Sequence, residues 1–191
     1  MTDRILQKLP DILKSHTCTM ERASLDKSRS VTMSDSKIKV VNFDKIPKEY
    51  SKGRSWSNMP SSNDALYITV DGKWYFIEFK NGSVEKASIY RKLYDSIIMM
   101  IDMGIMPDFQ FARESVHYIL IYNAEKYSKI EKSESRNENY SYIMNLAKTE
   151  EKLFDVDKLE DYLIKEAHTY TKELFKTHFT DPMENQEEAA I

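Results

Sequence analysis

The run Trp74-Tyr75-Phe76-Ile77-Glu78-Phe79-Lys80 decides how this chain is read. It is aromatic and β-prone, so it belongs in a sheet that passes through the core. A carboxylate and an ammonium in such a strand are costly unless they pair with each other or hold something. Alternation puts Phe76, Glu78 and Lys80 on one face and Tyr75, Ile77 and Phe79 on the other. Upstream, Asp64 heads a second strand-like run, Ala65-Leu66-Tyr67-Ile68-Thr69-Val70, and Asp71-Gly72 between the two runs signals a hairpin.

The turn decides whether the acids meet. A two-residue turn on Asp71-Gly72 sets Val70 against Lys73, with Asp64 on the far side of the sheet from Glu78. A three-residue loop, Val70-Asp71-Gly72, with Gly72 left-handed, sets Thr69 against Lys73 and Asp64 directly opposite Glu78. Both registers collect an apolar face, so burial does not choose between them. Two carboxylates side by side repel unless a cation lies between them. Oxygen donors of this kind, with the Phe79 carbonyl, suit Mg²⁺ or Mn²⁺. Lys80, on the same face, is placed to orient or deprotonate a water and to offset charge on a phosphoryl transition state.

Outward from this hairpin, residues 3–14 show a helical stripe weakened at Pro10, and 38–43 read as a strand. Residues 47–62 read as a loop. Val84 to Met103 is the longest helical pattern, closed by Gly104 and Pro107. Residues 117–122 read as a buried strand, parallel to 73–80 because a helix crosses between them. A polar loop covers 125–140, helices are expected near 140–152 and 157–176, and 181–191 reads as a frayed, flexible acidic tail. The predicted fold is α/β (α+β): one domain over 1–180 with a central mixed sheet flanked by helices. Its core spans about 20–124, with a helical C-terminal extension over about 140–180.

Asp64, then Glu78-Phe79-Lys80 at the end of the next strand, then a helix and an apolar strand, resembles the PD-(D/E)XK nuclease-like superfamily over roughly residues 20–124. The resemblance implies a restriction-endonuclease-like core and Mg²⁺-dependent phosphodiester hydrolysis of DNA in preference to RNA. It makes Asp64 and Glu78 the metal-binding acids and Lys80 the catalytic lysine. It also implies a further acid before the first strand, Glu21 with Asp26 as runner-up, and a polar residue on the following helix, Lys92 or Arg91, near the phosphate. Asn63 stands where the family pattern carries Pro. Lys37, Lys39, Lys86 and Lys92 are the expected walls of a positive cleft. The competing expectation is a catalytically inactive fold that binds nucleic acid or a protein, or pairs as a homodimer. It would use apolar anchors Phe154, Leu159, Leu163 and Leu174 on the C-terminal helices.

Composition narrows the class. With 41% hydrophobic residues and 12% aromatic, the chain can build a core and is not a disordered segment. One cysteine excludes an internal disulfide, and four scattered histidines do not suggest zinc. The start lacks an apolar signal core, and the run Ile97–Met106 is interrupted by Asp102, so a cytoplasmic protein without a membrane span is expected. Net charge is −3, but residues 1–60 carry 12 Lys+Arg against 7 Asp+Glu. That asymmetry fits a polyanion-binding side as well as ordinary surface charge. Arg91 and Asp95 are spaced to pair on a solvated helix face, His117 reads as a core or edge residue, and His168 and His178 fall on the last helix without a role.

Overall fold

In the computed structural model, which describes residues 1–130, 136–160 and 162–189, a six-stranded mixed sheet organises the chain. The predicted N-terminal helix is two short ones, α1 (Asp3–Lys8) and α2 (Asp11–Lys14), parted at Leu9-Pro10. Next come β1 (Thr17–Thr19), α3 (Met20–Ala23) and a small ribbon of β2 (Leu25–Asp26) with β3 (Val31–Thr32). Strand β4 (Lys39–Asn42) precedes a 3-10 turn at Phe43–Lys45 and α4 (Ile46–Tyr50), so the expected 47–62 loop begins as helix. Then follow β5 (Ala65–Ile68), β6 (Trp74–Lys80), α5 (Lys86–Asp102), α6 (Phe109–Ser115) and β7 (Val116–Tyr122). The chain finishes with α7 (Ala124–Ile130), α8 (Arg136–Leu146), β8 (Glu166–Tyr170), α9 (Lys172–Phe175) and α10 (Asp181–Ala189).

The sheet order is β1-β4-β5-β6-β7-β8. The first four strands pair antiparallel, whereas β7 runs parallel to β6 and β8 parallel to β7. All seven residues of β7 are buried, as expected of a strand covered on both faces. Helix α5 ends in a Schellman cap: Gly104 is left-handed (φ 67°), its N–H donates to the Ile101 carbonyl, and Ile105 N–H donates to the Met100 carbonyl.

Two layers cover the sheet. Lys92 of α5 reaches Glu78, so α5 lies over the Phe76–Glu78–Lys80 face. On the opposite face, Phe179 packs edge-on against Tyr67 and Tyr75, and Phe175 against Phe79.

The C-terminal part departs most from expectation. Residues 166–170 form a strand inside the sheet where a helix over 157–176 was predicted. The predicted polar loop over 125–140 carries most of α7 and the start of α8, apart from residues 131–135, which lie outside the described residues. The tail is also ordered as far as Ala189: Tyr67 Oη donates to Glu187 Oε1 at 2.8 Å, and the Met1 amine pairs with the same carboxylate. Leu159, Leu163 and Leu174 are buried and Phe154 packs onto the core. These anchors close the chain's own core and are not an exposed partner-binding face. Among the described residues, no helix is long and apolar enough to cross a membrane.

Candidate functional site

The hairpin adopts the three-residue loop. Tyr67 pairs with Tyr75 and Ile68 with Trp74, the Thr69 N–H donates to the Lys73 carbonyl, and Gly72 is left-handed at φ 86°. Ala65 pairs with Ile77, so the next step of the ladder sets Asp64 opposite Glu78. The Asp64 backbone leaves the regular ladder at this point, its N–H donating to the Ile77 carbonyl of β6 and its carbonyl accepting from Phe43 N–H just after β4.

The Asp64 side chain does something the ladder cannot. Its Oδ2 accepts from the Phe79 N–H at 2.7 Å, beyond the end of β5. An amide and carbonyl of one residue in an antiparallel ladder point the same way, so the Phe79 carbonyl faces that side too. Lys92 Nζ bridges the two acids, donating to Asp64 Oδ1 at 3.2 Å and Glu78 Oε1 at 2.7 Å. Lys80 Nζ lies 3.0 Å from the same Glu78 oxygen. Asn63 Nδ2 reaches Glu78 Oε2 at 3.4 Å, while Asn63 Oδ1 is buried without a hydrogen-bond partner.

Glu78 is fully buried, yet the ion cluster is not sealed. Asp64, Lys80 and Lys92 keep 15%, 21% and 22% of their side chains exposed. Of these, Asp64 lines a cleft of about 310 Å³, together with Asp26, Lys27, Asp44, Phe79 and Asn81. Asp44, which sequence reasoning missed, sits just after β4 and feels the Asp64 charge. The signal was available: β4 is the antiparallel neighbour of β5, so the residues just past its end lie beside the start of β5, where Asp64 stands.

Crowding shows in the titration. Burial, then the neighbouring Glu78 charge, pushes the Asp64 carboxyl well above the usual carboxylate range against the opposing pull of Lys92. Partial burial and Asp64 also push Asp44 up, although its side chain is exposed to solvent at the cleft, which screens the effect. Lys92 is held above its ordinary value. Burial opposes its charge, but Asp64 and Glu78 outweigh that cost, so Lys92 stays an ammonium and cannot act as a base at neutral pH.

Other expected residues fall elsewhere. Glu21 is not among the cleft residues and pairs with Lys37 at the surface; Asp26 takes the cleft position and accepts from Asn81 Nδ2 at 3.2 Å. Arg91 is exposed and makes no ion pair with a described residue. Asp95, its expected partner, instead accepts from Ser61 N–H at 2.8 Å. Of the four lysines expected to wall the cleft, only Lys92 touches the acids. Lys86 pairs with Asp155, Lys37 with Glu21, and Lys39 is at the exposed start of β4. A different set of cations rims the site. Lys27 lines the cleft, and the Asn81 carbonyl accepts from Arg29 Nη1 at 3.0 Å and Lys126 Nζ at 2.6 Å.

Comparison with protein-family models, curated proteins and solved structures finds no match to this chain.

Proposed function

We propose that this protein is a Mg²⁺- or Mn²⁺-dependent phosphodiesterase acting on nucleic acid, DNA in preference to RNA. The observation that carries it is the convergence of Asp64 Oδ1 and Glu78 Oε1 on one cation, the Lys92 ammonium, beside a cleft. Three carboxylates (Asp44, Asp64, Glu78) gather near the Lys80 and Lys92 ammoniums, and a divalent cation would take the place that Lys92 holds between two of them. The carboxylate donors are all oxygen, and the Phe79 carbonyl faces the Asp64 side, which suits a hard divalent cation.

In this reading Asp64, Glu78 and the Phe79 carbonyl hold the metal. A bound Mg²⁺ or Mn²⁺ polarises a phosphoryl oxygen and acidifies water. Lys80, next to Glu78, orients the attacking water and offsets developing charge. Lys92, fixed as a cation, contributes positive charge to the phosphate once it leaves the carboxylates. Lys27, Arg29 and Lys126 form a basic rim around the acidic floor, which steers a polyanion without neutralising the metal ligands.

A second reading has its own observation. Glu78 is fully buried and already satisfied by two ammoniums, as in a structural ion cluster of a fold without catalysis. The deciding experiment incubates the protein with linear, circular, single-stranded and branched DNA, and with RNA, in Mg²⁺ or Mn²⁺. Cleavage that is lost with EDTA and in Glu78→Ala and Lys80→Ala supports the enzyme. No cleavage, with no metal-induced rise in Tm, supports the structural cluster.

A further inference from the structure

The other face of the sheet holds a cluster of different chemistry. In the parallel β7–β8 ladder His117 pairs with Glu166, and Ile119 with His168, two residues along β8 from Glu166. His117 is also the β6-ladder partner of Tyr75, and the two rings stack at 4.8 Å. The cluster therefore lies on the Tyr75 side, opposite Glu78, and towards the N-terminal ends of the parallel strands.

One donor atom each from His117, Glu166 and His168 lies within 4.8 Å of the others. His117 Nδ1 is 3.4 Å and His168 Nε2 is 3.7 Å from the same oxygen, Glu166 Oε2. Tetrahedral ligands at bond lengths of about 2.0–2.1 Å stand roughly 3.3–3.4 Å apart, close to the two histidine–Glu166 separations, and the whole set lies within 4.8 Å.

Two further observations point to a ligand. His117 Nδ1 is buried and has no well-formed hydrogen bond, its neighbour Glu166 Oε2 standing 3.4 Å away without the alignment of one, though a polar atom in that position normally finds a partner. The second concerns how His168 is held. Its Nδ1 lies 3.1 Å from both oxygens of Glu150, which is itself pinned by the Thr169 N–H at 3.1 Å. A carboxylate on one ring nitrogen sets the tautomer and presents the other nitrogen as a lone pair, the arrangement of metal-bound histidines. With Nδ1–H donating to Glu150, Nε2 would set a lone pair against the Glu166 carboxylate, an arrangement a cation between them makes favourable. Glu166 is 48% exposed, which gives the site an approach from solvent.

We propose that His117, Glu166 and His168 form a binding site for a transition-metal dication of the zinc class, with Glu150 as the positioning carboxylate and the fourth position left to water. Two imidazoles and one carboxylate suit Zn²⁺ or Co²⁺ and disfavour Mg²⁺, so this site is chemically separate from the all-oxygen cluster across the sheet. Bound metal would fasten the edge strand β8 to β7.

The test uses the full chain without a polyhistidine tag, stripped with EDTA and dialysed. Zn²⁺ is titrated calorimetrically, and Co²⁺ is followed by its visible d–d absorption. The expected result is one equivalent bound with a tetrahedral-type Co²⁺ spectrum, a rise in Tm, and no competition from excess Mg²⁺. Binding is lost in His168→Gln and in Glu166→Gln, whose half-exposed side chain is not part of the core, and circular dichroism checks that the fold is kept. Glu150→Gln weakens binding about 10–100-fold, while His16→Gln and Cys18→Ser bind as the parent does. Absence of binding, binding unaltered in both His168→Gln and Glu166→Gln, or loss confined to Glu78→Gln would each overturn the proposal.

Discussion

Two faces of one sheet carry two polar clusters built in opposite ways. On the α5 side, carboxylates gather and lysines neutralise them: Lys92 bridges Asp64 and Glu78, and Lys80 doubles the contact on Glu78. On the C-terminal helix side, imidazoles gather around a carboxylate, and no ammonium of a described residue bridges them. Burial, helped by the Lys73 charge and opposed by Glu166, holds the His117 ring below its usual pKa. A group of acids with a built-in cation can be complete without a metal. Among the described residues the imidazole cluster has no built-in cation of this kind, and its buried Nδ1 lacks a well-formed hydrogen bond. The comparison therefore sets a site where a metal must displace a lysine against one where it competes only with protons on two imidazoles.

The largest expected effect is on chemistry. Glu78→Gln lowers Mg²⁺-dependent cleavage about 10³-fold, because a charged ligand beside the reacting phosphate is gone. A far smaller loss, with Tm held, would move the acidic cluster to the structural side of the comparison.

Lys92→Met comes next. It removes the ammonium from between two buried acids, and the expected loss is about 3 kcal/mol in urea unfolding near pH 8. Added Mn²⁺ restores much of this stability if the acids accept a metal in place of the lysine. An unchanged unfolding midpoint would show that Lys92 does not balance the cluster.

Asp64 supplies the pH dependence. Its carboxyl is raised in the folded chain, so between the ordinary carboxylate range and neutrality the native state holds a proton that the unfolded state releases. The stability this contributes is present at low pH and falls as pH rises. Tm is expected to decline from about pH 5 towards about pH 8, with a flatter profile in Asp64→Asn. The Mn²⁺-induced rise in Tm runs the other way and grows with pH, since the metal needs the ionised carboxylate. Parallel profiles for parent and variant would remove Asp64 as the titrating group.

The smallest effect tests register. Gly72 is left-handed with open space where a Cβ would stand, so Gly72→Ala costs about 1–2 kcal/mol through backbone strain alone. Because Gly72 shapes the β5–β6 loop, the change should blunt metal binding by the acidic cluster and leave the β7–β8 cluster untouched. Equal damage to both would show that the two faces are not independent.

The same contrast explains what could be read beforehand. The acidic site was visible in the sequence because its parts are local: Asp64, Glu78 and Lys80 share one hairpin, and alternation assigns their faces. The register itself was not visible, since Leu66 and Ile68 can share a face with either Trp74 and Phe76 or Tyr75 and Ile77. Only the left-handed Gly72 loop separates the two. Asp44 escaped because it lies beyond the end of β4, so only the β4–β5 pairing connects it to Asp64. The histidine cluster was hidden by a misassigned period. Glu166-Ala-His-Thr-Tyr170 is short and polar at alternate positions, and flanking helical residues drew it into a helix. As a helix it carries His168 away from His117; as strand β8 it brings them together. The tail was misread for a related reason: Glu187 is ordered by Tyr67 and the Met1 amine, partners remote in sequence.

The most direct test is a crystal structure of the protein soaked in Mn²⁺, with anomalous scattering used to locate the ion. The account predicts a peak between the Asp64 and Glu78 carboxylates, with Lys92 Nζ displaced from both. No peak there, with Lys92 still bridging the two acids, would contradict it and leave the cluster a structural ion network.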